Sequence, residues 1–195
     1  AIGDFFILIK RRIKKRRYSP LVFYPEITLI IPVYNSEQTF RQCIESIMES
    51  DYPKDKIDIL IVNNMTKDDS FSIFCQCQKD FPELHMNWLN AKQGKSRALN
   101  LALFNSNGKY IIHIDSDGVL ETSAIRNMVT MFENEDDVDC LTGTILTNPT
   151  QIDETRGFFK RFMQKLEFSE YCQAFLAGRN FQSELNSIFT LSGAF

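Results

Sequence analysis

Histidine is nearly missing from this sequence: only His85 and His113 occur among 195 residues, too few and too far apart to suggest an imidazole-rich zinc site. The five cysteines (Cys43, Cys75, Cys77, Cys140 and Cys172) are odd in number and lack any CxxC spacing, which excludes a zinc knuckle or a fully paired disulfide framework. Most fall at apolar positions, so reduced core thiols in a reducing compartment are expected. No run of eighteen uncharged apolar residues occurs. The greasiest stretches, ITLIIPV and KYIIHI, have strand length instead. No GxGxxG follows the first of them, which argues against a plain dinucleotide fold.

What is present is ample for a packed core: 44% of residues are apolar and 12% aromatic. The net charge of −3 conceals an asymmetry, because Lys10, Arg11, Arg12, Lys14, Lys15, Arg16 and Arg17 crowd into one octet. The remaining body is acidic, a poor match for nucleic acid. A basic octet after IGDFFILI reads as the cytoplasmic flank of a membrane segment, with a solvated tail as the plainer alternative. The expectation is a chain at the cytoplasmic face of the cell membrane with the membrane surface as a partner. A start at Ala1 further suggests a piece cut from a longer polypeptide.

From Ile27 onward, short apolar strands alternate with amphipathic helices, which predicts βαβ units and a mostly parallel sheet flanked by helices. ITLIIPV is the first strand. Asn35 in N-cap position with Gln38 three residues on predicts a helix over 37–49. A second strand over 57–62 leads through NNMTKDD into a helix carrying Phe71, Phe74 and Gln78, and LHMNWL is a third extended run. A Gly-containing loop then opens a short helix that Gly108 should stop, and KYIIHI ends at Asp115. A helix over 123–133, a strand over 138–146 and a long aromatic-rich helix over 153–178 complete the pattern. Three segments result: a basic juxtamembrane-like 1–24, an α/β half over 25–150, and a further segment over 151–195.

The polar clusters sit at strand carboxyl ends, where open α/β sheets bind ligands. Asp115 and Asp117, one residue apart at the end of a strand, would share a face if extended. Hard cations such as Mg²⁺ or Mn²⁺ want oxygen ligands of this kind together with phosphate oxygens and water. Lys95, just after Gly94 at a helix start, can place an ammonium near phosphate, although a surface lysine is the blander reading. Asn63 and Asn64 follow a buried strand, where their amides could meet a base edge or simply form an Asx turn. His113 reads as a packed strand residue.

Taken in order, ITLIIPVYNSEQTFRQCIESI, IDILIVNN-MTKDDS, NAKQGKSRALNLAL and GKYIIHIDSDGVL resemble the successive landmarks of family 2 inverting glycosyltransferases over about residues 25–147. The resemblance implies a GT-A fold, a nucleotide-diphospho-sugar donor that is usually UDP-linked, a divalent metal, Mg²⁺ or Mn²⁺, and displacement with inversion onto a glycan or lipid acceptor. It places Pro32, Tyr34 and Asn35 beside the nucleoside, Asp115 near the ribose or metal, Asp117 on the metal and Lys95 near the diphosphate. AGRNFQSELNSIFTLSGAF is similar to a stretch of processive membrane-bound polysaccharide synthases, where a small-residue turn such as Ser192 and Gly193 borders the acceptor. There the catalytic base follows the turn, so it is expected after Phe195, and a chain ending here should not transfer sugar. The usual acidic pair of the base-contacting loop is replaced by Asn63 and Asn64. Two other readings fit less of the pattern: a non-catalytic nucleotide-binding or scaffold domain of the same fold, and a haloacid-dehalogenase-like phosphatase opening with HIDSDG.

Overall fold

The computed structural model describes residues 17–143 and 157–172. Their contacts fall into two compact units, one over 18–141 and one that includes 157–172. In the first unit the order is β1 (Ile27–Val33), α1 (Phe40–Met48), a 3₁₀ turn (Lys54–Lys56), β2 (Ile57–Asn63), α2 (Ser70–Asp80), β3 (His85–Asn90), α3 (Lys95–Asn105), β4 (Tyr110–His113) and α4 (Ala124–Asn134). The second contains α5 (Phe158–Cys172). No helix of the described residues is long and apolar enough to cross a membrane.

The strands form one sheet in the order β3-β2-β1-β4, with every pairing parallel. The chain winds outward from β1 to β3 and then returns to the other side of β1. The strand order thus reverses between β1 and β4, the place where doubly wound sheets open a ligand crevice.

Near-continuous apolar strands imply cover on both faces, and the core divides accordingly. Ile27, Leu29, Ile31 and Val33 of β1 face α1, α2 and α4 through Phe40, Cys43, Ile44, Ile47, Phe74, Cys77, Ile125 and Val129. On the other face Ile30, Leu60 and Val62 meet Ala98 and Ala102 of α3, which lie four apart on one helix stripe and let the helix approach closely. Each fully buried isoleucine truncated to alanine here should cost about 2–5 kcal/mol.

Gly108 does not act as the stop of α3, which ends at Asn105 and is capped by Ser106 in extended conformation. Its lack of a side chain matters for packing instead. A Cβ on Gly108 would lie 2.5 Å from the Thr28 nitrogen and 2.6 Å from the Ile27 carbonyl carbon. The glycine therefore lets the chain enter β4 flush against β1, where its N–H donates to the buried Thr28 hydroxyl at 3.0 Å.

Three other expectations are corrected. α1 starts at Phe40 with Thr39 as N-cap rather than at 37 with Asn35 as cap, because Asn35 is held at φ 51° with its amide turned toward the β2–α2 loop. The strand expected over 138–146 is absent from 138–143, where the exposed acidic run finds no neighbouring strand to pair with; 144–146 lie outside the described residues. Cys140 is exposed, unlike the buried Cys43 and Cys77, because that run is not part of the core. Of the helix expected over 153–178, α5 is the described part, and on it Phe159, Phe162, Met163 and Leu166 recur at i, i+3, i+4 and i+7 and are exposed.

Candidate functional site

Parallel registry brings four loops to one edge of the sheet. Val33, Asn63 and Asn90 stand level at the carboxyl ends of β1, β2 and β3. β4 pairs as far as His113 opposite Ile30, and the Ile114 N–H continues the ladder to the Ile30 carbonyl at 3.0 Å. Extending that register puts Asp115 level with Pro32. The loops over 34–39, 64–69, 91–94 and 114–118 therefore share a rim.

The first two loops are laced together by side chain to backbone bonds. The Asn35 N–H donates to Thr66 Oγ1 at 2.8 Å, and Asn35 Oδ1 accepts from the Lys67 N–H at 3.1 Å. The Ser36 N–H donates to Ser70 Oγ at 3.2 Å, the Glu37 N–H to Asp68 Oδ2 at 2.8 Å, and the Asp69 N–H to Glu37 Oε2 at 3.2 Å. Burial alone would push the Asp68 carboxyl up, but hydrogen bonds from Thr66, Ser70 and the Glu37 and Ser70 amides bring it down to about 2. Asn35, Ser36, Glu37, Gln38, Thr39 and Asp68 line an open pocket of about 300 Å³ here.

Asn63 and Asn64 brace the next two loops. Asn63 Oδ1 accepts from the Thr66 N–H at 2.8 Å, closing an Asx turn, while its Nδ2 donates to Asn90 Oδ1 at 3.0 Å. Between them and Thr66, Met65 sits at φ 64°, a left-handed conformation that costs an unbranched residue roughly 1–2 kcal/mol. Asn64 Oδ1 accepts from the Gly94 N–H at 2.6 Å. Gly94 has φ 130°, which only glycine adopts freely, and its carbonyl begins α3 by accepting from Arg97 and Ala98.

That turn aims Lys95 across the crevice. Lys95 Nζ donates to Asp115 Oδ1 at 2.6 Å, and His113 Nε2 lies 3.4 Å from the same oxygen. Burial lowers the His113 pKa, with Lys95 adding to the effect and Asp115 opposing it, so the ring is neutral at pH 7. Gly118 donates its N–H to the Asp115 carbonyl at 2.9 Å, folding 115–118 into a turn that leaves Asp117 exposed. Beneath this turn the Cys43 thiol contacts the same carbonyl at 3.8 Å, and burial, aided by Asp117 and Asp115, pushes its pKa up to about 12.

The structure thus gathers Pro32, Tyr34, Asn35, Asn63, Asn64, Lys95, Asp115 and Asp117 around one rim; Ser192 and Gly193 lie outside the described residues. Among the described residues no group of three or more His, Cys, Asp or Glu side chains could by itself cage a metal ion. Two carboxylates on one turn do suit a hard divalent cation that takes its other oxygens from phosphates and water. Sequence reasoning missed Ser36, Thr66, Asp68 and Ser116. Ser116 carried a signal: in an extended run flanked by two outward carboxylates the middle residue points inward.

Residues 28–182 match the family described as Glycosyl transferase family 2. The probable glycosyltransferase YdaM of Bacillus subtilis (strain 168) is 28% identical over 141 residues, covering 71% of this chain and 33% of that protein. Poly-beta-1,6-N-acetyl-D-glucosamine synthase of Staphylococcus epidermidis is 24% identical over 173 residues, 87% of this chain and 38% of the synthase. The chain spans well under half, 14% to 38%, of the length of these and other curated relatives it matches. Among solved structures, the mannosyltransferase PcManGT from Pyrobaculum calidifontis in complex with GDP-Man and Mn²⁺ superposes with a TM-score of 0.60 at 22% identity, covering 73% of this chain and 44% of that one.

Proposed function

This chain belongs to glycosyl transferase family 2 and has the GT-A fold, and we propose that its crevice binds a nucleotide-diphospho-sugar, with UDP as the nucleotide, for transfer to a glycan or lipid acceptor with inversion. The observation that carries this reading is the Lys95–Asp115 pair, which brings an ammonium from the start of α3 against the acidic turn beside the β1–β4 reversal. A phosphate-bearing ligand needs cations and oxygen-rich metal ligands at one place, and both are here.

The roles are those that the family resemblance implies, with 25–150 as the nucleotide-sugar-binding half and 151–195 as the start of an acceptor-binding half. Pro32, Tyr34 and Asn35 flank the nucleoside, and Asn63 and Asn64 shape the loop facing the base. Lys95 and the first N–H groups of α3 face the diphosphate, where Lys95 exchanges Asp115 for phosphate oxygen. Asp117 and Asp115 would hold Mg²⁺ or Mn²⁺. Bound there, such a cation acts as a Lewis acid that offsets charge building on the leaving diphosphate. PcManGT, the similar structure, carries GDP-Man with Mn²⁺, and the synthase relative is named for a polysaccharide product. Calorimetric titration of UDP, GDP and NAD in Mn²⁺ tests the donor class. Tightest binding of UDP supports the reading, tightest GDP binding reassigns the nucleotide, and preference for NAD removes it.

The basic octet from Lys10 to Arg17 supports a site of action at the cytoplasmic face of a membrane. Each lysine or arginine that reaches an anionic surface contributes about 1 kcal/mol, fading with salt. Co-sedimentation with phosphatidylserine vesicles should weaken when residues 1–17 are deleted, and unchanged binding would remove this part of the reading.

A further inference from the structure

We propose that Ser36 and Ser116 form the joint that couples the nucleoside side of the crevice to the metal side, acting as positioning residues for Asp115 and Asp117. The inference rests on the metal-dependent reading above. Ser116 is the middle residue of the acidic turn, only 9% exposed, while Asp117 beside it is open to solvent. Its Oγ lies 2.6 Å from Ser36 Oγ, and Ser36 is itself 7% exposed.

Either serine can donate in this pair, and the Ser36 hydroxyl also lies within reach of the Tyr34 carbonyl at 3.3 Å. A chain of polar contacts thus runs from the acidic turn through Ser36 to the backbone of Tyr34, one of the candidate nucleoside residues. Ser36 is also anchored on its other sides. Its N–H reaches Ser70 Oγ, and its carbonyl accepts from Thr39 and Phe40 to start α1. Ser70 in turn donates to Asp68 Oδ1 at 2.7 Å, so the chain ends in the hydrogen-bonded carboxylate that laces the first two loops.

The bond spans the β1–β4 reversal. The wall formed by the first two loops is a closely bonded network, and among the described residues the acidic turn meets it through this buried hydroxyl pair, together with the longer Cys43 contact. Breaking the pair leaves one hydroxyl buried without its partner and frees the turn to rotate its carboxylates. Because coupling is reciprocal, nucleotide that orders Tyr34 should favour metal at Asp117, and metal should favour nucleotide.

The test is calorimetry of UDP with the full 195-residue chain, with and without Mn²⁺, for wild type, Ser36→Ala, Ser116→Ala and the double variant. The expected result is metal-free UDP affinity close to wild type in Ser116→Ala, whose side chain lies on the proposed metal side. The gain in UDP affinity on adding Mn²⁺ should fall by roughly tenfold in each single variant, the scale seen for groups that support metal ligands. The double variant should lose no more than either single, because both remove the same bond. Single variants that keep the wild-type Mn²⁺ gain overturn the joint. So do losses that multiply in the double variant, or an equal loss of metal-free UDP binding in Ser116→Ala, which would mean the serines hold the whole rim. A wild-type chain with no Mn²⁺ gain sinks the metal reading itself, a result distinct from any variant outcome.

Discussion

The two sides of the crevice are built differently. Where the loops after β1 and β2 meet, Asn35, Ser36 and Glu37 exchange bonds with Thr66, Lys67, Asp68, Asp69 and Ser70, so backbone N–H groups on both loops are answered by side chains of the other. Across the β1–β4 reversal the acidic turn is held by a serine pair, a thiol contact and a lysine. The first side is preformed. The second leaves Asp117 exposed while Asp115 pairs with Lys95. The first wall is thus held by bonds between its own two loops, whereas the proposed metal side keeps Asp117 open to solvent.

The largest way to break this contrast is to dislodge β4 altogether. Gly108→Ala places a Cβ within 2.5–2.8 Å of the Ile27 and Thr28 backbone, which no side-chain rotation relieves. We expect about 3 kcal/mol of destabilisation in urea unfolding. Wild-type stability would show that the β1–β4 contact is looser than described. Asp117→Asn is milder for folding but should weaken UDP binding in Mn²⁺ by at least ~10–100-fold, because it removes a metal ligand itself and not merely its support. Unchanged affinity in saturating Mn²⁺ would reassign Asp117.

Acid titration sharpens the comparison from the other side. The Asp68 pKa is about 2 in the folded chain against an ordinary value of ~3.9. A depressed carboxyl contributes stability that is present above its unfolded pKa and lost as pH falls through the folded one. Asp68 should therefore stabilise the first wall above about pH 4 and cease to do so toward pH 2. Asp68→Asn should flatten that part of the stability profile measured by thermal melting, and an unaltered acid limb would deny the lacing role. The smallest effect concerns thiols: with its pKa pushed up to about 12 and its side chain buried, Cys43 should be alkylated by iodoacetamide long after the exposed Cys140. Early modification of Cys43 would show that the acidic turn opens readily.

How far the sequence revealed this differs between the same two sides. The strands were legible because ITLIIPV, IDILIV and KYIIHI are nearly unbroken apolar runs, and parallel order followed from their alternation with helices. The acidic turn was legible because two carboxylates at a strand end are conspicuous. The lacing of the first wall was not. Asn35 carries the local signature of a helix cap, and only its long-range bond to Lys67, thirty-two residues on, makes it a cross-loop brace with α1 starting at Phe40. Gly108 misled for a related reason: a glycine after a helix suggests a stop, whereas here its value lies in contact with a strand eighty residues earlier. Within the expected strand, 138–143 are not extended into a sheet because apolar pattern without a pairing partner does not make a strand.

The central claim, a crevice that binds nucleotide together with a divalent cation, is tested most directly by titrating UDP into the wild-type chain in saturating Mn²⁺ and again in EDTA. The account predicts a Kd at least ~10-fold lower with Mn²⁺, the difference being carried by the acidic turn while the nucleoside wall still gives weak binding in EDTA. Equal affinity in the two conditions, or no UDP binding in either, would contradict it.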